Sequence, residues 1–232
     1  VVDKLIIGIV GGTAGLGFSL ALRLAVAGYE VLIGSRSIDK AKAAADEAKK
    51  IAGQIKISGD LNENICEKSD IVFFAIPFNG LYLTAKSLKN RISKNAIVVS
   101  TIVPLESDLG GGWKFLEPSA GSAAETLSRI LGRDAKVVSA LNYAPATAFM
   151  DLDSPVECDV IVCGEREHAM QVIDVIEHIP NLRGLYGGGL ENSRITERIT
   201  PLLIFLNKEY SSDRAGIRVT YIEKSSATSG QG

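Results

Sequence analysis

The sequence predicts an α/β fold: a doubly wound, mostly parallel sheet followed by a small, mainly helical C-terminal part. Three observations predict it. Short apolar runs alternate with helix-patterned stretches along most of the chain. The runs lack the apolar–polar alternation of a half-exposed sheet, so both of their faces are buried, as in parallel strands between two helix layers. A glycine-rich turn also joins the first strand to the first helix, where open α/β sheets bind nucleotides.

In chain order, "KLIIGIV" reads as a strand and "AGLGFSLALRLAVAG" as a helix ending at Gly28. "EVLIGS" is a strand, "IDKAKAAADEAKKIAG" a helix closed by Gly53, "QIKIS" a short strand and "NENICEKS" a short helix. "DIVFFAIP" is a strand ended by Pro77, then come the helix "NGLYLTAKSLKNRI" and the strand "NAIVVST". A longer loop, "IVPLESDLGGGWKFLEPSAG", carries three consecutive glycines and the single tryptophan. "SAAE" at 122–125 has the form of a capping box opening the helix "SAAETLSRIL". The strand "KVVSAL" follows, then "NYAPATAFMDLDSP", and then a further strand, helix and strand: "CDVIVCG", "EREHAMQVIDVIEHI" and "NLRGLYGG". "ENSRITERITPLLIFLNKEYS" reads as one long helical segment with Pro201 placed to kink it, and "SSATSGQG" as a frayed tail. The expected division is 1–187, a nucleotide-binding domain, and 188–232, a C-terminal helical segment. No repeat of solenoid period is present.

Composition narrows the function. A net charge of −2 argues against nucleic acid as main partner. The stretch from residue 5 to 28 is apolar enough to suggest a membrane span, but Arg23 interrupts it and its glycines cluster as a turn. No cationic leader with a cleavage site is seen. Cys66, Cys158 and Cys163 form no CxxC pair and read as buried thiols in a reducing cytoplasm. His168 and His178 lie on one helical stretch and read as solvated, which leaves no histidine for a catalytic triad and no metal set.

"GGTAGLG", residues 11–17, sits between strand and helix. Glycines permit the tight turn, small residues let the backbone approach a pyrophosphate, and the helix start supplies free N–H groups. The motif has two readings. One is Gly12-x-Ala14-x-x-Gly17, with alanine in the middle position of a Rossmann-type fingerprint. The other, Gly11, Gly15 and Gly17, is the spacing of short-chain dehydrogenases, which use a Tyr-x-x-x-Lys pair. Tyr82 and Lys86 have that spacing, with Ser69 upstream. They fall on the helix after the fourth strand, whereas the short-chain pair follows the fifth, so they read as neighbours one helical turn apart.

At the end of the second strand, a carboxylate would select NAD by accepting from both ribose hydroxyls. Here stand Ser35 and Arg36, with Lys40 one turn further on. A guanidinium, a hydroxyl and an ammonium suit a 2′-phosphate, hence NADP(H). The alternative is a solvated helix start.

With these segments, the chain resembles the coenzyme F420-dependent NADP reductase family. The likeness runs from the phosphate loop through "GSR" with its downstream lysine and Ile76-Pro77 to "VVSALNYAPA", "NSRITERITPLL" and "AGIR". The resemblance implies that Thr13, Ala14, Gly15 and Leu16, within the loop of Gly11, Gly12 and Gly17, hold the pyrophosphate. It implies that Ser35, Arg36 and Lys40 hold the 2′-phosphate, and that Ile76, Pro77 and Val103 flank the nicotinamide. Ala144, Ala146 and Ala215 would present backbone to the deazaflavin. Ala14 replaces a glycine of the family pattern, Asn142 stands at an expected histidine, and Tyr143 and Ala144 also depart from it. The implied activity is direct hydride transfer between NADP(H) and coenzyme F420, with no catalytic side chain named. The alternatives are an NADPH-dependent reductase of another flavin, imine or carbonyl compound, and a non-catalytic NADP(H) sensor. A cytoplasmic homodimer completes the expectation, with the apolar "LLIFL" stretch on its own sheet domain or in the dimer interface.

Overall fold

The computed structural model describes residues 5–222. The expected frayed tail lies outside them. Five parallel crossovers begin the chain: β1 (Ile6–Val10), α1 (Gly15–Val26), β2 (Glu30–Ser35), α2 (Ile38–Ala52), β3 (Ile57–Leu61), α3 (Asn62–Lys68), β4 (Ile71–Phe74), α4 (Leu81–Leu88), β5 (Ile97–Ser100), α5 (Ala123–Leu131) and β6 (Lys136–Ser139). There follow α6 (Ala146–Met150), β7 (Cys158–Gly164), α7 (Arg166–Ile176), β8 (Leu182–Tyr186), α8 (Ser193–Thr196) and α9 (Ile199–Glu209). The strands form one eight-stranded sheet in the order β3-β2-β1-β4-β5-β6-β7-β8. The order reverses between β1 and β4, so the sheet is doubly wound.

The lack of alternation in the strands is explained by a core on each face. Ile7, Ile9 and Phe73 point into one layer with Leu20, Leu24 and Val172. Val10, Val72 and Phe74 point into the other with Leu81, Leu88 and Leu127. Phe73 and Phe74 are both fully buried although they face opposite ways. Burial of such side chains contributes roughly 1.5–3 kcal/mol each before entropy is counted.

Several elements depart from the expectation. β3 covers 57–61, not 54–58. At Gly59 the strand packs directly on the α2 backbone at Ala41, and α3 starts without a loop. β7 pairs antiparallel to β6 through Val138↔Gly164 and Ser139↔Cys163. The short α6, unforeseen, lies in the connection that reverses the chain. The C-terminal segment is not one kinked helix. It breaks at Glu197–Arg198, between α8 and α9. Pro201 lies in the first turn of α9, where its missing N–H costs little, and a helix continued from α8 would need that N–H for the Glu197 carbonyl. His168 is buried at 9% exposure on the inner face of α7, not solvated. His178 is exposed, with Nδ1 3.0 Å from the Tyr29 hydroxyl. The three cysteines are buried and free, and burial pushes the Cys66 thiol up to about 12.

Candidate functional site

All the crossovers that start at β1, β2, β4 and β5 leave from one end of the sheet, and a cleft of about 940 Å³ runs across that end. Its floor is the turn after β1. Gly11 has φ +81°, and a Cβ there would meet the Ala75 carbonyl at 2.5 Å, so only glycine fits this turn. Gly17 faces back onto the turn: a Cβ would lie 2.5 Å from the Gly11 carbonyl. Gly17 therefore lets α1 pack tightly on the strand end, the role of the last glycine in the fingerprint. Gly12 packs beside Ile9 and Ile33. Gly12 and Gly17 thus support the cleft from beneath, whereas Gly11, Thr13, Ala14, Gly15 and Leu16 line it.

Ala14 is the N-cap of α1, with an extended backbone at φ −159° that any residue adopts. Alanine in place of the family glycine therefore causes no strain. Its side chain caps nothing, so the first N–H groups of α1 face the cleft without a side-chain acceptor. By contrast, α2 is capped by Ser37 and α5 by Ser122. Space within 4 Å of a Cβ at Gly15 is empty. An anion fits this position on hydrogen bonding and on the helix dipole.

Ser35, Arg36 and Lys40 line one end of the cleft. Arg36 and Lys40 are exposed, and among the described residues neither side chain makes an ion pair. Ile76, Pro77 and Val103 line the other end, together with Ala144. Among the described residues no Asp, Glu, His, Cys or Tyr lines the cleft, and the ionisable groups in its lining are Arg36 and Lys40. Tyr82 and Lys86 are not in the lining; Tyr82 is 57% exposed on α4, and Lys86 Nζ lies 5.7 Å from its ring centre.

Ala146 and Ala215 lie outside the cleft, in an adjoining hollow of about 240 Å³. The two spaces share Asn142, Ala144 and Thr200 at their junction. The wall between them is closely braced. Leu141 has φ +62°, a costly conformation for a bulky residue, and is held there fully buried. Asn142 Nδ2 donates to the Ile102 carbonyl at 3.1 Å, and its Oδ1 accepts from Ser139 Oγ at 3.0 Å. The carboxamide at the expected histidine position is thus a brace between β5 and β6. Tyr143 Oη donates to the Asp159 carbonyl and accepts from the Ile161 N–H, and burial raises its phenol far above the usual range. Thr200 Oγ1 donates to the Asn142 carbonyl.

Sequence reasoning missed Asn62, Asn79, Thr101 and Thr200 as cleft residues. Thr200 lies within the "NSRITERITPLL" segment and was open to notice. Asn62 opens the helix "NENICEKS", and nothing in that local pattern shows that it faces the cleft.

Fold and cleft define a doubly wound α/β protein of the Rossmann type with a nucleotide-sized cleft at its switch point. A family model, "NADP oxidoreductase coenzyme F420-dependent", matches residues 6–104. The "F420-dependent NADP reductase" of Methanocaldococcus jannaschii is 43% identical over 94% of this chain and 99% of its own. That of Methanothermobacter thermautotrophicus is 37% identical over 92% of this chain and 94% of its own. The chain belongs to the F420-dependent NADP reductase family. A crystal structure of an Arthrobacter sp. FB24 protein superposes with a TM-score of 0.78 at 19% identity, covering 94% of this chain and 100% of that one. A pyrroline-5-carboxylate reductase from Coxiella burnetii gives 0.57 at 16% identity, covering 90% and 69%. These two show the shared fold alone.

Proposed function

We propose that this protein transfers a hydride between NADP(H) and the deazaflavin coenzyme F420. The observation that carries this reading is the lining of the cleft: among the described residues, two cations without ion pairs at one end and no Asp, Glu, His, Cys or Tyr at the other, with a hollow beside it to which Ala144, Ala146 and Ala215 contribute. The names of the relatives in Methanocaldococcus and Methanothermobacter support it.

NADP(H) fits the residues present, on the uncapped start of α1 and the free cations at 36 and 40. Thr13, Ala14, Gly15 and Leu16 hold the pyrophosphate, with Gly11, Gly12 and Gly17 shaping the loop beneath. Ser35, Arg36 and Lys40 take the 2′-phosphate, and the absence of a carboxylate favours NADP(H) over NAD(H). Ile76, Pro77 and Val103 bound the nicotinamide. Ala144, Ala146 and Ala215 present small side chains and backbone to the deazaflavin. The two coenzymes supply the redox chemistry, a hydride exchanged between C4 of one ring and C5 of the other. The chain's own part is to hold the rings in register and keep water out. Neither redox carbon requires a proton from the protein; of the ionisable residues that line the hollow, Tyr143 commits its Oη to the Asp159 carbonyl and the Ile161 N–H, and Asp213 is exposed to solvent.

Mixing the protein with NADPH and F420 tests this. Loss of the F420 absorbance band is expected, and faster with NADPH than with NADH. A persisting band with NADPH bound would overturn it.

Residues 1–187 form the unit that carries the nucleotide site and 188–232 the C-terminal segment, of which Thr200, Leu203 and Ala215 line the hollow. Leu202 and Phe205 of α9 and Ile195 of α8 are exposed apolar residues, which supports a homodimer with these helices in its interface. Sedimentation would test that. Three buried free thiols suit a reducing cytoplasm. No helix of the described residues is long and apolar enough to cross a membrane, and the small negative charge speaks against nucleic acid.

A further inference from the structure

Arg23 is the one charge in α1, a helix otherwise built of apolar and small residues, and it is only 4% exposed. An arginine buried beside Leu20, Leu22 and Leu24 is costly unless it is hydrogen-bonded. The bonds of Nε and Nη2 all go to one place. Nε donates to the Phe149 carbonyl at 2.9 Å, and Nη2 to the carbonyls of Ala148 at 3.0 Å, Ser154 at 2.8 Å and Asp151. These four carbonyls belong to the last turn of α6 and the turn beyond it. A five-residue helix does not persist alone, and α6 ends at Asp151 without a glycine cap. The guanidinium serves as that cap, with its charge at the negative end of the helix. Burial lowers the Arg23 pKa, and the nearby Asp151 carboxylate opposes that shift.

The other tethers of this segment lead to the hollow. Ala146 opens α6 and Thr147 follows it, with Thr147 Oγ1 donating to the Asp213 carbonyl. Asp151 Oδ2 pairs with Arg214 Nη1 at 2.8 Å. Asp213 and Arg214 directly precede Ala215. The helix that starts at the proposed pyrophosphate loop therefore grips, at its far end, the segment that carries Ala146 and, through it, the arm that carries Ala215.

We infer that Arg23 is a positioning residue that sets the wall of the second-ring hollow through α6, without touching either coenzyme. This rests on the functional reading above. It requires that loosening the grip weaken F420 binding and leave NADPH binding intact.

The test uses the full chain with Arg23→Lys, which keeps the charge but cannot span four carbonyls. NADPH affinity is read by fluorescence, F420 affinity by equilibrium binding, and the backbone of 144–154 by hydrogen exchange. F420 should bind about tenfold more weakly, the size of one lost charge-assisted bond, with NADPH within about twofold. Exchange should rise at 146–154 and stay unchanged in β1 and β2. If Arg23→Lys does not fold, Arg214→Gln, an exposed partner of the same turn, decides: F420 binding should weaken by up to about fivefold. A lower melting temperature with unchanged F420 affinity would make Arg23 merely structural and overturn the inference, as would unchanged F420 affinity in Arg214→Gln when it stands in. Failure of the wild type to bind F420 would overturn the functional reading instead.

Discussion

Arg36 and Lys40 stand at the cleft and pair with no carboxylate among the described residues, and that openness makes their role testable one residue at a time. Arg36→Asp replaces attraction for a 2′-phosphate with repulsion. Loss of a charge-assisted contact costs roughly 1.5–3 kcal/mol, or on the order of tenfold to a hundredfold in affinity. Titration of NADPH and NADH should show NADPH weakened by that amount and NADH little changed. An unaltered ratio would remove Arg36 from the site. Tyr82 makes the opposite case. Its spacing to Lys86 imitates an acid–base pair, but its ring is exposed on α4 and outside the cleft. Tyr82→Phe should leave turnover within about twofold, whereas loss of a general acid costs about 10²–10⁴. Residues such as Arg36 and the 11–17 loop were legible because their chemistry is written in a short local stretch. Asn142 and Arg23 were not. Asn142 bonds a carbonyl 40 residues away and Arg23 one 126 residues away, partners that no local pattern displays.

At the scale of elements, α6 shows what a pattern reading loses. "APATAFM" contains proline and no helical periodicity, and the five residues of α6 within it hold as a helix because α1 caps them. The reversed direction of β7 was equally hidden. A strand buried on both faces has the same composition whether it runs parallel or antiparallel. The hollow beside α6 is where substitution should separate the two coenzymes. Ala146→Trp places an indole in a space of about 240 Å³. The redox carbons then cannot approach to about 3–3.5 Å, and F420 reduction should fall by roughly a hundredfold. NADPH should bind with near-normal affinity, because the residues proposed to hold its phosphates lie at the loop and at Ser35 and Arg36. Steady-state kinetics beside NADPH fluorescence titration would show the split. Equal F420 turnover in the two proteins would mean that the second ring docks elsewhere.

At the scale of the whole molecule, the C-terminal segment is fastened to the sheet domain by two buried carboxylates with opposite pH responses. Glu197 is fully buried and accepts from the N–H groups of Ala123 and Ala124 at 2.8 and 3.0 Å, while Ser122 Oγ accepts from the Glu125 N–H. The first three N–H groups of α5 are thus satisfied, two of them by a residue beyond α8. Burial pushes the Glu197 carboxyl up from 4.5 to about 7, with the charge of Glu125 adding to the rise and the two N–H bonds and Arg198 opposing it. Asp159 is different. Burial opposes its ionisation, but Arg183, the Val219 N–H and Arg218 outweigh burial and hold it below the usual carboxylate range. The signs follow from proton uptake. The folded chain keeps the Glu197 proton between pH 4.5 and about 7 while the unfolded chain loses it, so stability falls as pH rises through that window. The full effect is about 3 kcal/mol. Asp159 contributes stability at neutral pH that is lost as pH falls through its lowered value. The wild type should therefore be most stable on the mildly acidic side of neutrality. Glu197→Gln does not titrate. It sacrifices one of the two acceptors and should lower stability at pH 5, but its urea midpoint should stay level from pH 5 to 7 where the wild type declines. Denaturation curves of both proteins at half-unit pH intervals would measure this. Parallel pH profiles would mean that Glu197 stays ionised in the fold, held by the two N–H groups, and that the docking of this segment is indifferent to pH.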